Sequence, residues 1–375
     1  MVAALTQSNP ALIDSNTRRT TPTVAVVATT PETVLDDIGA AMRLAGYEQA
    51  LPKDCATLLK INISWQHYYP ACSTAPWQLD GAIRALRADG YDRLIPAHNG
   101  TVVVDAKEGA VKNKHKTVER LHGLDALYLE DAKWVDFQPQ DRMLALDRIY
   151  PDGFQIPADF IGKNVLHLPT MKTHVFTTIT GAMKNAFGGL LNHNRHWTHS
   201  AIHKTLVDLL QIQKQIHPGI FAVTDGTFAG DGPGPRAMRW HAKNVILASA
   251  DQVAIDAVSA KMMGFDPLGI EFIRLAHEMG LGCGDMREIE IVGADISSVD
   301  WGFSSGENTL FSSGQKSVYW GPFKPLENAI ARSPLVNLAI AASNLYHNGY
   351  WLPLVGKKRV EAAMRTEWGK LFQSY

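Results

Sequence analysis

The chain has 375 residues, 46% of them hydrophobic, and a formal net charge of −1, enough for a large core in roughly two domains of ordinary size. That charge argues against a general nucleic-acid binder, which carries a basic excess, and no apolar run reaches membrane-spanning length. The three cysteines, Cys55, Cys72 and Cys283, form no C-x-x-C, so no intrinsic iron–sulfur cluster or structural zinc is expected, and their sparseness points to a reducing, cytoplasmic compartment.

Residues 1–22 read as a disordered polar tail. Arg18-Arg19 precedes an apolar stretch, as in a twin-arginine signal, but Val24–Ala28 is too short for a signal core and suits a first strand, Thr23–Ala28. Thr30-Pro31-Glu32 opens a helix to about Ala45, with proline at a favoured first-turn position. Ala56–Ile63 is a second strand and Pro76–Asp89 a helix with Leu79, Ala82, Ile83 and Leu86 on one face. Arg93–Pro96 is the next strand. Asp105–Val135 holds a further helix and strand. Met143–Ile149 and Gly153–Ile156 read as a hairpin or a small insertion around Pro151-Asp152-Gly153. Val165–Leu168 is a buried strand closed by Pro169.

Thr180 is expected to cap a short helix that Gly188-Gly189 stops. Thr198 caps another that runs to about Ile216. Ile220–Val223 and Val245–Ser249 are strands. Asp251 caps a helix that ends at Gly264, Ile270–Met279 is helical, and Glu288–Val292 is a closing strand. Alternating strands and helices predict an α/β fold: a mainly parallel sheet flanked by helices. The expected organisation is an α/β domain over 23–300, split into two lobes near 150–165, and a C-terminal helical and aromatic extension over 301–375. The last helix has Val360, Met364, Trp368 and Leu371 on one face. It is expected to cover the domain or a twin subunit, giving a homo-oligomer, rather than a membrane.

The stretch LPTMKTHVFTTITGAMKNAFGGLL, Leu168 to Leu191, carries most of the chemistry. Lys172, His174, Thr180, Lys184 and Asn185 lie among apolar residues, and long cations are rarely buried unless paired or liganded. A helix start favours anions, and ligands in α/β sheets bind beyond the carboxyl ends of strands, where Lys60 and Asn62 also fall. Arg195 is a good bidentate partner for carboxylate or phosphate. Gly230 and Gly232 let backbone approach a ligand closely. Asp225 and Asp231 end a strand and enter that glycine-rich loop, where they suit general-base or metal-ligand roles or simple Asx turns. His199 and His203 share a helix face at zinc-site spacing, but Ser200 stands where the expected glutamate would be. The candidate metal ligands are His174, His199 and His203, for a divalent ion; no other cofactor is indicated. Asp256, inside an apolar stripe, is expected to pair with one of the lysines.

Lys172-Thr173-His174, the element Thr180 to Gly188, Lys60-Ile61-Asn62, Asp225-Gly226, Gly230–Pro233 and Asp251 to Asp256 together resemble the family called domain of unknown function 362, over roughly Thr23 to Val292. The resemblance implies a fold and a site more than a reaction. Many members carry a ferredoxin-like segment, which this chain lacks. The family is also distantly similar to nickel-pincer lactate racemases, which act on a small hydroxy acid. The leading expectation is an enzyme for a small anionic carboxylate or phosphate. Lys172, Lys184 and Arg195 would hold the anion, His174 or His199 would move protons, and Asp225 or Asp231 would orient them. The alternatives are a metal- or iron–sulfur-linked redox protein and a non-catalytic ligand-binding subunit.

Overall fold

The computed structural model describes residues 21–101, 103–191, 193–327, 332–333 and 336–375. The expected disordered tail therefore lies, but for Thr21 and Pro22, outside the described residues.

The strands in chain order are β1 (Thr23–Ala28), β2 (Thr57–Ile61), β3 (Leu94–His98), β4 (Leu127–Tyr128), β5 (Trp134–Phe137), β6 (Phe154–Pro157), β7 (Asn164–Leu168), β8 (Thr170–His174), β9 (Thr178–Ile179), β10 (Ile220–Asp231), β11 (Arg239–Ala242), β12 (Val245–Ser249) and β13 (Glu290–Gly293). The main sheet runs β13-β1-β12-β10-β7-β2-β3-β4, with β8 and β11 attached to β10 and β9 to β8. Pairs from β10 through β7, β2 and β3 to β4 are parallel, as is β1 with β13. β12 runs antiparallel between β1 and β10. The fold is thus α/β with a mostly parallel, mixed sheet. Strands on both sides of residues 150–165 share that sheet.

Period-two alternation divides the core. Leu58, Val165, Ala222 and Leu247 face one apolar cluster, while Leu59, Leu166, Phe221 and Ile246 face the other. The helices Ile202–Ile216, Gln252–Met263 and Glu271–Glu278 contribute to the first cluster, and Val34–Leu44 and Pro76–Ala88 to the second. Because both faces are covered, the central strands are buried along their length.

Pro169 closes β7 after Leu168, as expected, and β8 begins at Thr170; Gln78 Nε2 donates to both the Pro169 and Val223 carbonyls at 2.8 Å across this break. Other local expectations are corrected. The hairpin at 151–153 does not form. Leu146–Ile149 is a helical turn, and β6 pairs antiparallel with β5 instead. β10 continues past Val223 to Asp231, so Phe228–Asp231 belongs to a strand that pairs with β11. His193–Ala201 is a 3-10 segment, and the α-helix starts at Ile202 rather than after Thr198; the Thr198 hydroxyl donates to the Arg195 carbonyl at 2.7 Å.

The last helix folds back on its own chain. Trp368 is buried, its ring 5.2 Å from that of Trp77, and its Nε1 donates to Asn244 Oδ1 at 2.7 Å. Tyr375 donates to Asp80 at 2.9 Å. Trp368→Phe is expected to lower stability by about 1–2 kcal/mol, because the Asn244 oxygen loses its donor and the smaller ring leaves a gap. A denaturation midpoint equal to wild type would show that this helix does not share in the core. No helix among the described residues is long and apolar enough to cross a membrane.

Candidate functional site

A cavity of about 550 Å³ lies beyond the carboxyl ends of β2, β3 and β8. Asn62, Ile63 and Ser64 follow β2, Asn99 and Thr101 follow β3, and His174, Val175 and Phe176 stand at the end of β8. The helix Ala182–Asn185 gives Lys184 and Asn185, the 3-10 segment gives Arg195 and His199, and the β10–β11 connection gives Arg236. The C-terminal extension roofs it with Ser312, Gln315 and Tyr319 from the helix Leu310–Tyr319, and with His347.

Of the expected site residues, Asn62, His174, Lys184, Asn185, Arg195 and His199 line this cavity. Lys60 and Lys172 stand behind its wall. Lys60 Nζ donates to Asn99 Oδ1 and the Ile61 carbonyl, each at 2.7 Å. Lys172 Nζ donates to the Cys72 carbonyl at 2.8 Å and Thr170 Oγ1 at 2.7 Å. Burial pushes both ammonium groups down, Lys60 to about 7 and Lys172 to about 8. Thr180 is not a cap: Gly181 holds that position, and the Thr180 N–H donates to the Lys172 carbonyl at 2.9 Å.

The cap comes from across the fold. Asp256 accepts from the Ala182 N–H at 2.6 Å and the Met183 N–H at 3.1 Å, so its partners are backbone amides and not a lysine. Burial raises its carboxyl to about 7 despite those bonds. A side chain at Gly181 would collide with this carboxylate, which is why glycine stands there.

The two other aspartates lie outside the cavity lining. Asp225 is buried, accepts from the Thr227 N–H at 2.8 Å and is pushed up by burial to about 6. Asp231 pairs with Arg239 at 2.8 Å and accepts from the Ser304 N–H at 2.7 Å. The Gly230 and Gly232 carbonyls accept from Thr173 Oγ1, at 3.4 and 2.7 Å, so these glycines support the strand that ends in His174. His203 lies on the other side of Phe176, whose carbonyl it faces at 3.2 Å. Among the described residues no group of three His, Cys, Asp or Glu side chains is placed to hold a metal ion.

The cavity's charge is one-sided. Among the described residues, three cations, Lys184, Arg195 and Arg236, line it and no aspartate or glutamate does. Lys184 Nζ sits 5.5 Å from the Phe187 ring centroid and has no hydrogen-bond acceptor among the described residues; burial first, then the neighbouring cations Lys172 and Arg195, pushes it down to about 7. Among the described residues Arg195 donates only to the Gly100 carbonyl, at 2.5 Å, and burial lowers it to about 10, partly offset by Glu130. Among the described residues Arg236 donates only to the Ser64 carbonyl, at 3.0 Å. Arg236 is not among the residues expected from the sequence. Its signal was a cation inside the Gly/Pro-rich stretch already marked as a place of close backbone approach.

The two histidines carry opposite tautomers. His174 Nδ1 accepts from the Phe176 N–H at 3.2 Å, which leaves Nε2 to bear the proton. His199 Nδ1 donates to the His196 carbonyl at 2.9 Å, which leaves Nε2 with a lone pair. Burial is the first cause lowering both, His174 well below its ordinary value and His199 to about 4, so both are neutral at pH 7. Tyr319 stacks on His199, with centroids 5.7 Å apart and planes 11° apart.

A family model described as a domain of unknown function, DUF362, matches residues 57–261, more than half of the chain. The thylakoid-associated protein sll1697 of Synechocystis sp. (strain ATCC 27184 / PCC 6803 / Kazusa) is 29% identical over 121 residues. That alignment covers 31% of this chain and 37% of the relative's length. No solved structure matches the chain.

Proposed function

The chain belongs to the DUF362 family, and from that premise we propose that it binds a small organic anion, a carboxylate or phosphate, and moves a proton on it. The observation that carries this reading is the set of three cations facing a cavity with no acid among its described lining residues. Buried like charges repel one another and are poorly solvated until an anion joins them. The apolar side chains around them, Ile63, Val104, Phe187 and Val318, suit the carbon skeleton of such a ligand.

The tautomers support proton transfer. His199 Nε2 is the proton acceptor, and His174 Nε2–H is the donor that stabilises charge developing on the ligand. Lys184 and Arg195 hold the acid group and orient it. His199 serves as a base only while neutral, so its role is kept from neutral pH down to about 4 and is lost below.

The test is mass spectrometry of small molecules released on denaturation, followed by incubation of the holo-protein in deuterated water. A retained organic anion that gains deuterium at carbon in wild type, and at least about 100-fold more slowly in His199→Gln, is the expected result. A retained anion with no exchange would mean a non-catalytic binding protein, and a neutral or cationic ligand would overturn the reading.

A further inference from the structure

A second recess, of about 590 Å³, adjoins the cavity and shares its His174-Val175-Phe176 wall. Four cations converge on it from separate segments. Arg148 comes from the turn Leu146–Ile149, Lys204 from the first turn of Ile202–Ile216, Lys316 from the helix Leu310–Tyr319, and Lys324 from the 3-10 turn Lys324–Leu326. Glu271 is the one acid among the described residues that line it. None of the four cations makes an ion pair among the described residues. Cations elsewhere on this surface do, as in Lys112–Glu108, Arg274–Glu278 and Lys370–Glu367. The fold has therefore gathered four cations that are far apart in sequence around one concavity whose described lining holds a single acid, Glu271.

We propose that this recess is a second anion subsite, built for a phosphate-class group bearing two or more negative charges. A lone carboxylate would neutralise one of four cations. A phosphate or diphosphate offers several acceptor oxygens and enough charge to engage Lys204, Lys316 and Lys324 together, and lysine's point charge suits phosphate without a fixed geometry. Lys316 is half-buried and its ammonium is pushed down by burial, a cost that a bound phosphate would reverse. The phosphate belongs either to the ligand whose acid group lies against Lys184, which rests on the function proposed above, or to a free phosphate or diphosphate.

The test is calorimetric titration of the full chain with inorganic diphosphate, in about 0.15 M salt, where non-specific surface attraction is screened. Saturable binding is expected, weakened at least tenfold in Lys204→Gln/Lys316→Gln and changed less than twofold in Lys184→Met. Both recess lysines are at or near the surface, so the double variant should melt with wild type, which a thermal scan checks. Absence of saturable binding, equal affinity in the double variant, or loss in Lys184→Met alone would overturn the subsite; the last would place the anion in the cavity. Mass spectrometry of released molecules then separates the two sources. One organic phosphate lost from both Lys184→Met and the recess variant marks a group carried by the cavity's ligand. Diphosphate binding that leaves the cavity's contents in place marks a free ion. Loss of the cavity ligand reading with diphosphate binding intact would remove the function proposed above and leave the recess standing.

Discussion

Lys184→Met should weaken binding of the cavity's anion by about 1.5–3 kcal/mol, one to two decades in affinity, while making the empty protein more stable at neutral pH. The two effects have one cause. Lys184 is half-buried, its ammonium has no acceptor among the described residues, and desolvation pushes it down to about 7. In the unfolded chain it titrates near 10.5. Between those values the unfolded state binds more protons than the native state, so native stability rises as pH climbs from about 7 to about 10.5. Methionine keeps the aliphatic stem and removes that dependence. Anion binding should restore the proton to Lys184, so titrations near pH 8 in buffers of different ionisation enthalpy should reveal proton uptake in wild type and none in the variant. Unchanged affinity together with an unchanged pH–stability curve would show that the lysine is solvated rather than poised for an anion.

Asp256→Ala should cost about 3–5 kcal/mol of stability, since it removes two hydrogen bonds and orphans two buried N–H groups. The helix it caps, Ala182–Asn185, has no side-chain cap of its own. Asp256→Asn keeps one acceptor and turns a donor toward the other N–H, so it should lose roughly half as much. The pH sign is opposite to the usual one for a carboxylate. With a native value near 7 against an ordinary 3.8, the native state holds a proton that the unfolded state has released, and this group's contribution falls as pH rises through that window. Chemical denaturation of both variants at pH 5 and pH 7 is the measurement. Midpoints of both within about 0.5 kcal/mol of wild type would mean that the cap carries no weight. Because this helix presents Lys184 and Asn185, anion affinity should fall with stability in the alanine variant.

Apolar periodicity and punctuation located most of the main strands and long helices to within a few residues. Val245–Ser249, the Asp251-capped helix and its Gly264 stop appear as read. Errors gathered where a side chain from elsewhere changed the local outcome. Thr180 looks like a cap until Asp256 fills that role. Asp256 itself was noticed as an acid in an apolar stripe, but an odd charge does not name its partner. Sequence alone could not separate Lys184, which faces the cavity, from Lys60 and Lys172, which are anchored behind it on carbonyls and on the Asn99 and Thr170 side chains.

Local patterns in the chain, namely apolar period, capping residues and short motifs at strand ends, were enough for the α/β class, the family and the neighbourhood of the candidate site. The tertiary structure alone decided which charges meet. Arg236 joins Lys184 and Arg195 from a distant hairpin, and the 301–375 segment becomes the roof of the cavity. The four cations of the recess converge from segments up to 176 positions apart (324 − 148). Electrostatic coupling depends on distance in space and on burial, neither of which is written in the spacing of residues along a chain.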